Sequence, residues 1–377
     1  MNKQELTYWV TLSMIPKIWT KRKNEIFVKC FLHKPNRISI IELFENSSLW
    51  KELGLTEEEM QLFLEAKKQL ANNSFLIEDL LDQGYDIIPL ISKEYPQSLK
   101  DNLKQGAPTV IYTKGNKDLL RTEAVAIVGS RKADTISLEF TNNIARKGVS
   151  EQKVVVSGFA KGVDRQALDS ALNAGGKSII VLPQGITTFT SGYKQYYQPI
   201  SQGKVLVMSA FHPKSPWSVE LAMARNPIIY GMANEIFVAQ SDDKGGTWSG
   251  VVDGLRKERI IYVRYPNPIE KNANLKLIQK GATAVDMFGN IKSLNSEELL
   301  SEDEKEYKKI DDAIMDLLLR TPMTSKIIGE KLNLDWSDPK IKKYLRGMPN
   351  VVEFKEKNKI YFRVKQIVIP DLFANSL

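Results

Sequence analysis

The chain predicts an α/β fold: a parallel sheet covered by helices, with a helical region before it and a small domain of helices and a hairpin after it. Two observations carry this. Six short runs rich in Val and Ile, AVAIVGS (124–130), KVVVSG (153–158), KSIIVLP (177–183), KVLVMS (204–209), NEIFVAQ (234–240) and RIIYVRYP (259–266), alternate with stretches of helical periodicity such as SLEFTNNIARKG and VDRQALDSALNAGG. Near-continuous apolar strands alternating with helices belong to a parallel sheet buried on both faces. The flanks lack that alternation and carry patterns of their own.

Residues 1–75 read as a helical N-terminal domain, because LTYWVTLSMI and EEEMQLFLEAKKQL repeat their apolar positions at helical spacing. From about 76 the character changes, and YDIIPLISKEYPQSL and APTVIYTKGN add strand-like runs and turn residues. Residues 76–292 form the central α/β domain. The acidic stretch 293–308, SLNSEELLSEDEKEYK, reads as a linker running into a helix. Residues 309–377 then give three short helices, KIDDAIMDLLLR, MTSKIIGEKLNL and DPKIKKYLRGM, followed by two strands around a Lys-Asn turn in VVEFKEKNKIYFRV. That order suggests a winged helix. Between Lys340 and Lys365 nine Lys/Arg stand against two Glu, a net +7. This is either the solvated face of a packing domain or a basic surface for DNA or an acidic partner.

Composition narrows the function classes. The 377 residues are 42% hydrophobic and 26% charged, within the range of soluble globular chains. The formal net charge of +8 favours polyanionic partners. A single cysteine, Cys30, excludes an intramolecular disulfide and a cysteine-based zinc site, and the two histidines, His33 and His212, sit in no cluster suited to a metal or a Ser–His–Asp triad. No metal or cofactor is expected. No apolar run reaches the roughly 20 residues of a membrane span, and the N-terminus lacks a signal-peptide cleavage pattern. The expectation is a cytoplasmic protein without a membrane partner.

The chemistry gathers at strand-to-helix junctions. Gly129, Ser130 and Arg131 follow the first parallel strand, where a helix N-terminus offers unpaired N–H groups. Glycine admits a phosphate closely, Ser can donate to it and Arg can grip its oxygens; a plain β–α turn with Arg in solvent is the competing reading. Ser157, Gly158, Lys161 and Gly162, within SGFAKGVD, repeat the pattern at the next strand. Asp164 reads as a helix cap, and Phe159 as either a core ring or a base-stacking platform. Arg225 and Asn226 lie just before Pro227, a residue suited to a helix start. Gly245-Gly246-Thr247 opens a further junction. Such loops on one edge of a parallel sheet mark where open α/β sheets bind ligands, so the expected phosphate or DNA contacts are Gly129, Ser130, Arg131, Ser157, Gly158, Lys161, Gly162, Arg225 and Asn226.

In this order the motifs resemble the DNA-processing protein A family (DprA, also called Smf), whose central domain is Rossmann-like. Tyr95-Pro96-Gln97-Ser98-Leu99 is similar to the family's YPxxL, SGFAKGVD to SGxAxGID, Arg225-Asn226-Pro227-Ile228-Ile229 to RNRII, and Leu277-Ile278 with Gly281-Ala282 to LIxxGA. The chain departs from the pattern at Leu168, Phe189-Thr190, Ala210, Pro227 and GGTWSGV (245–251), and IPKIWTKRK lacks the glycines of a helix–hairpin–helix. The resemblance implies a binding protein rather than an enzyme, one that holds single-stranded DNA and loads the RecA recombinase onto it during DNA recombination and natural transformation, as a homodimer. Two other classes stand beside it. A nucleotide-ligand sensor or nucleotide-processing protein of the same superfamily would use GGT, although such hydrolases place Glu where this chain has Asp253. A regulator of duplex DNA would use the winged helix, with KIKKYLRG as its basic helix.

Overall fold

The computed structural model describes residues 1–33, 36–295, 298–300 and 302–365. The chain forms two compact units, one spanning Met1–Ser293 and the second beginning at Leu294. Residues 296, 297 and 301 of the expected linker, and 366–377 of the expected winged-helix stretch, lie outside the described residues.

The first unit opens with α1 (Lys3–Met14), α2 (Thr20–Leu32), α3 (Ile40–Glu45), α4 (Leu49–Glu52), α5 (Glu57–Lys67) and α6 (Leu70–Asp82). Reciprocal capping boxes, Asn2 with Glu5 and Thr56 with Glu59, satisfy the free N–H groups that start α1 and α5. Trp9, Leu12, Phe44 and Phe63 are buried from these helices in the same apolar cluster as Tyr112, Ile180 and Val207 of the sheet. Two hydrogen bonds from Asn24 Nδ2, to the carbonyls of Gln105 and Ala107, fasten α2 to the segment entering the sheet.

The sheet contains β1 (Asp86–Pro89), β2 (Val110–Gly115), β3 (Ala124–Val128), β4 (Val154–Ser157), β5 (Ser178–Val181), β6 (Val205–Ser209), β7 (Glu235–Val238), β8 (Ile261–Arg264) and β9 (Thr283–Val285). Its order is β1-β2-β6-β5-β4-β3-β7-β8-β9. The strands from β6 to β9 are parallel, including all six expected from the sequence, while β1 and β2 extend one edge antiparallel. Every residue of β3 is buried, and each such Val or Ile contributes roughly 1.5–3 kcal/mol through its removal from water. Its helices are α7 (Gln97–Leu103), α8 (Thr135–Ser150), α9 (Val163–Asn173), α10 (Thr190–Gln195), α11 (Tyr197–Ser201), α12 (Val219–Met232), α13 (Gly246–Arg256) and α14 (Asn274–Gln279).

One feature of this order positions the site. From β3 the chain steps through β4, β5 and β6 to one side, then returns to place β7 against the other side of β3. At such a reversal the loops leaving the two central strands part in opposite directions and open a crevice at the carboxyl edge.

The second unit contains α15 (Glu302–Arg320), α16 (Ser325–Lys331), α17 (Asp338–Gly347), β10 (Val351–Glu356) and β11 (Lys359–Val364). Ile314, Leu318, Ile328, Ile341, Leu345 and Phe362 close its own small core. The hairpin turns at Lys357 and Asn358, both with positive φ (44° and 64°), as a two-residue turn between twisted strands requires. Three helices followed by a hairpin is the element order expected of a winged helix.

Candidate nucleic-acid interface

Four separate stretches of chain meet at the carboxyl edge of β3, β4 and β7. They enclose a cleft of about 440 Å³, lined by Gly129, Ser130, Arg131 and Lys132 after β3, Ala160 after β4, Arg225 and Asn226 on α12, and Lys244, Gly245 and Gly246 before α13. The sheet reversal holds the walls together directly, because Ser130 N–H donates to the Gln240 carbonyl across the β3–β7 junction (2.9 Å). Gly162 joins the first loop to the second. Its φ is +80°, and a Cβ there would overlap the carbonyl of Ser130 and the backbone of Arg131.

Beneath the cleft lies a buried ion pair. Arg225 Nη1 stands 3.8 Å from Asp164 Oδ2, with both side chains under a tenth exposed, and donates to the Val181 carbonyl at 3.1 Å. Burial pushes the Asp164 carboxyl above its ordinary range against the pull of the Arg225 guanidinium. The same burial pulls the Arg225 guanidinium down. A Cβ on Gly158 would overlap both the guanidinium and the Asp164 carboxylate, so glycine is required there to seat Arg225.

The expected contact residues therefore divide into two groups. Arg131 and Lys161 are exposed cations, and Gly129, Ser130 and Asn226 line the cleft. Ser130 Oγ accepts from Lys132 N–H (3.1 Å), and Asn226 Nδ2 donates to the Gly246 carbonyl (3.2 Å). Ser157 is buried, and its hydroxyl donates to the Ile127 carbonyl on the neighbouring strand (2.7 Å) rather than facing the cleft. Arg225 and Asn226 also differ from expectation. They sit inside α12, which starts at Val219 behind the Ser218 cap and carries Pro227 in its interior instead of at its first turn. Asp164 lies in the first turn of α9, and the residue capping that helix is Gly162.

Phe159 resolves towards the core. Its ring meets Phe189 edge-on at 4.6 Å, and the Arg165 guanidinium lies over its face at 3.8 Å. Buried Tyr230 lines the cleft, and an exposed aromatic residue near it is Trp217, 48% exposed, whose ring lies 5.8 Å from the Arg131 guanidinium. Trp217, Lys132 and Lys244 were not among the expected contacts. The signal available for Trp217 was a tryptophan in the Pro- and Ser-rich stretch PKSPWS, where helical or strand periodicity gives it no core position.

Among the described residues no group of three His, Cys, Asp or Glu is placed to hold a metal ion, and no helix is long and apolar enough to cross a membrane. Asp253 is absent from the cleft lining and is hydrogen-bonded by Lys257 (2.6 Å) and Arg256 of its own helix. Burial pushes its carboxyl up, and those two cations more than offset this, leaving it below the usual carboxylate range. A carboxylate held in that way is a poor general base.

The family described as DNA recombination-mediator protein A matches residues 86–295, more than half of the chain. The chain belongs to this family. The DprA-type match takes in the whole sheet from β1 to β9 and every loop of the cleft. The chain is 31% identical over 207 residues to the DNA processing protein DprA of Streptococcus pneumoniae, covering 54% of this chain and 72% of that one. It is 27% identical over 208 residues to DprA of Bacillus subtilis, covering 54% and 69%. The X-ray structure of DprA from S. pneumoniae superposes with a TM-score of 0.57 at 23% identity, over 76% of this chain and 95% of that one, which establishes a shared fold.

Proposed function

We propose that the cleft binds single-stranded DNA along its phosphates, and that the protein is a recombination mediator that holds a strand without performing catalysis. The observation that carries this reading is the convergence of exposed Arg131, Lys132 and Lys244 around one cleft whose walls include the backbone of Gly129, Gly245 and Gly246, with exposed Lys161 next in sequence to its Ala160 wall. Cations on loops meet phosphates, and the absence of large side chains at Gly129, Gly245 and Gly246 lets a backbone approach. Trp217 offers an aromatic face on which any base can stack, which holds a strand without reading its sequence. Gly129, Ser130, Arg131, Lys161, Gly162 and Asn226 form the contact surface in this reading. Ser157, Gly158 and Arg225 act beneath it by fixing the loops. Family membership supports three further parts of the proposal: delivery of the strand to the RecA recombinase, action as a homodimer, and a cytoplasmic setting.

The test is a titration of labelled oligo-dT, a blunt duplex and a mononucleotide at several salt concentrations. The expected result is tightest binding to the single strand, little dependence on its sequence, and an affinity that falls steeply with salt. Tight binding confined to one mononucleotide would replace this reading with small-nucleotide sensing.

A further inference from the structure

We propose that α17 and the β10–β11 hairpin form a second DNA surface, one that grips the backbone of duplex DNA without reading its sequence. The surface belongs wholly to the second unit and stands independently of the cleft.

The helix is amphipathic in the sense a groove requires. Ile341 and Leu345 are buried, while Lys340, Lys343 and Arg346 are exposed. Arg346 Nε donates to Glu353 Oε2 at 2.9 Å, which ties the helix to β10. The cross-strand register places Val352 with Arg363, Phe354 with Tyr361 and Glu356 with Lys359 on one face of the hairpin. Phe354 and Tyr361 stack at 5.8 Å, and the Arg363 guanidinium lies 5.2 Å from the Phe354 ring centre. This stiffens an arm whose tip carries Lys355, Lys357 and Lys359, all exposed. No ion pair among the described residues engages Lys343, Lys355, Lys357, Lys359 or Lys365. Acidic residues are present too: Asp338, Glu353 and Glu356 lie on α17 and β10, with Asp338 engaging Lys342 and Glu353 engaging Arg346, but from Lys340 to Lys365 nine Lys/Arg outnumber two Glu.

Charge of this sign calls for a polyanion, and shape selects which one. A basic helix beside a stiffened two-stranded arm fits a groove and the adjoining backbone of a duplex. A flexible single strand needs free aromatic faces, and those of Phe354 are already occupied by Tyr361 and Arg363. The exposed side of α17 carries no Asn or Gln to pair with adenine, and its Arg346 is held by Glu353. The lysines that remain are flexible point charges, which suit phosphate better than bidentate base recognition.

The experiment uses the full chain and a variant carrying Lys343→Ala, Lys355→Ala, Lys357→Ala and Lys359→Ala, with circular dichroism to verify folding. Both are titrated with a blunt 20-base-pair duplex and with oligo-dT over a range of salt. The expected result is a duplex affinity at least about tenfold weaker, with the salt slope reduced by about 0.9 for each phosphate that is no longer neutralised. Oligo-dT affinity should change less than about threefold, because its proposed contacts lie in the first unit. Unchanged duplex binding overturns the proposal. A parallel loss of oligo-dT binding also overturns it, by making this surface part of a single-strand site. A duplex affinity that depends strongly on sequence overturns the backbone reading in favour of specific recognition.

Discussion

The cleft and the C-terminal basic surface both present exposed cations, but they mount them differently. At the cleft, Arg131 and, on the adjoining loop, Lys161 stand on segments pinned from below by a buried Arg225–Asp164 pair and by glycines that admit close backbone approach. In the second unit, Lys343 and the lysines of the hairpin tip stand on a helix and an arm packed over an apolar cluster that includes Ile341, Leu345 and Phe362. Concave loops around a crevice suit a chain that can bend into them. A basic helix flanked by a two-stranded arm suits a partner that supplies the groove. In the proposed assignments net charge is a weak guide to the ligand, and the elements that carry the charge distinguish the two.

The largest effect should come from the buried pair, which has no counterpart in the second unit. Arg225→Met leaves Asp164 buried and unpaired, and the expected cost is about 3–5 kcal/mol of stability at pH 7. The pH dependence follows from the direction of the Asp164 shift. Its carboxyl lies above the ordinary value when folded, so its contribution to stability is fully present below the unfolded value of about 3.9 and is lost as pH rises through the folded value. Removing Arg225 raises the folded value further. The deficit of the variant should thus be greatest near pH 7 and shrink on acidification towards pH 5, read from urea unfolding at both pH values. A deficit independent of pH would mean that poorer packing, not an unpaired carboxylate, sets the cost.

A smaller effect, confined to binding, is expected at the rim. Trp217→Ala should weaken oligo-dT binding by about 1–3 kcal/mol, the range for one stacked base. Its salt slope should stay unchanged because the indole neutralises no phosphate. Duplex binding, assigned to the other region, should not move. A change in slope would show that Trp217 acts by positioning Arg131 rather than by stacking.

Much of this architecture was legible in the residues. The Val- and Ile-rich runs identified six parallel strands because burial on both faces leaves no polar alternation to confuse them. The three-residue strand β9, Thr283–Val285, is too short to carry such a pattern. The loops after β3 and β4 were recognisable from glycine beside a hydroxyl and a cation. What spacing did not reveal was which of those side chains face solvent. Ser157 and Arg131 look equally suited to phosphate in sequence, yet one lies inside the sheet bonded to Ile127 and the other is exposed at the cleft. Pro227 misplaced the start of α12, because proline usually marks a first helical turn whereas here Ser218 caps the helix earlier. A helix starting at Pro227 would leave Arg225 on a ligand-facing loop, whereas α12 directs it down onto Gly158.

The most direct test of the central claim is the salt dependence of oligo-dT binding by Arg131→Ala/Lys161→Ala. Both side chains are exposed and outside the core, so stability should stay within about 0.5 kcal/mol of the parent. If each cation meets one phosphate, the slope of log K against log salt should fall by about 1.4, at about 0.7 per phosphate on a single strand, with weaker affinity at every salt concentration. A folded double variant with the parental slope and affinity would contradict the account and place the strand elsewhere on the molecule.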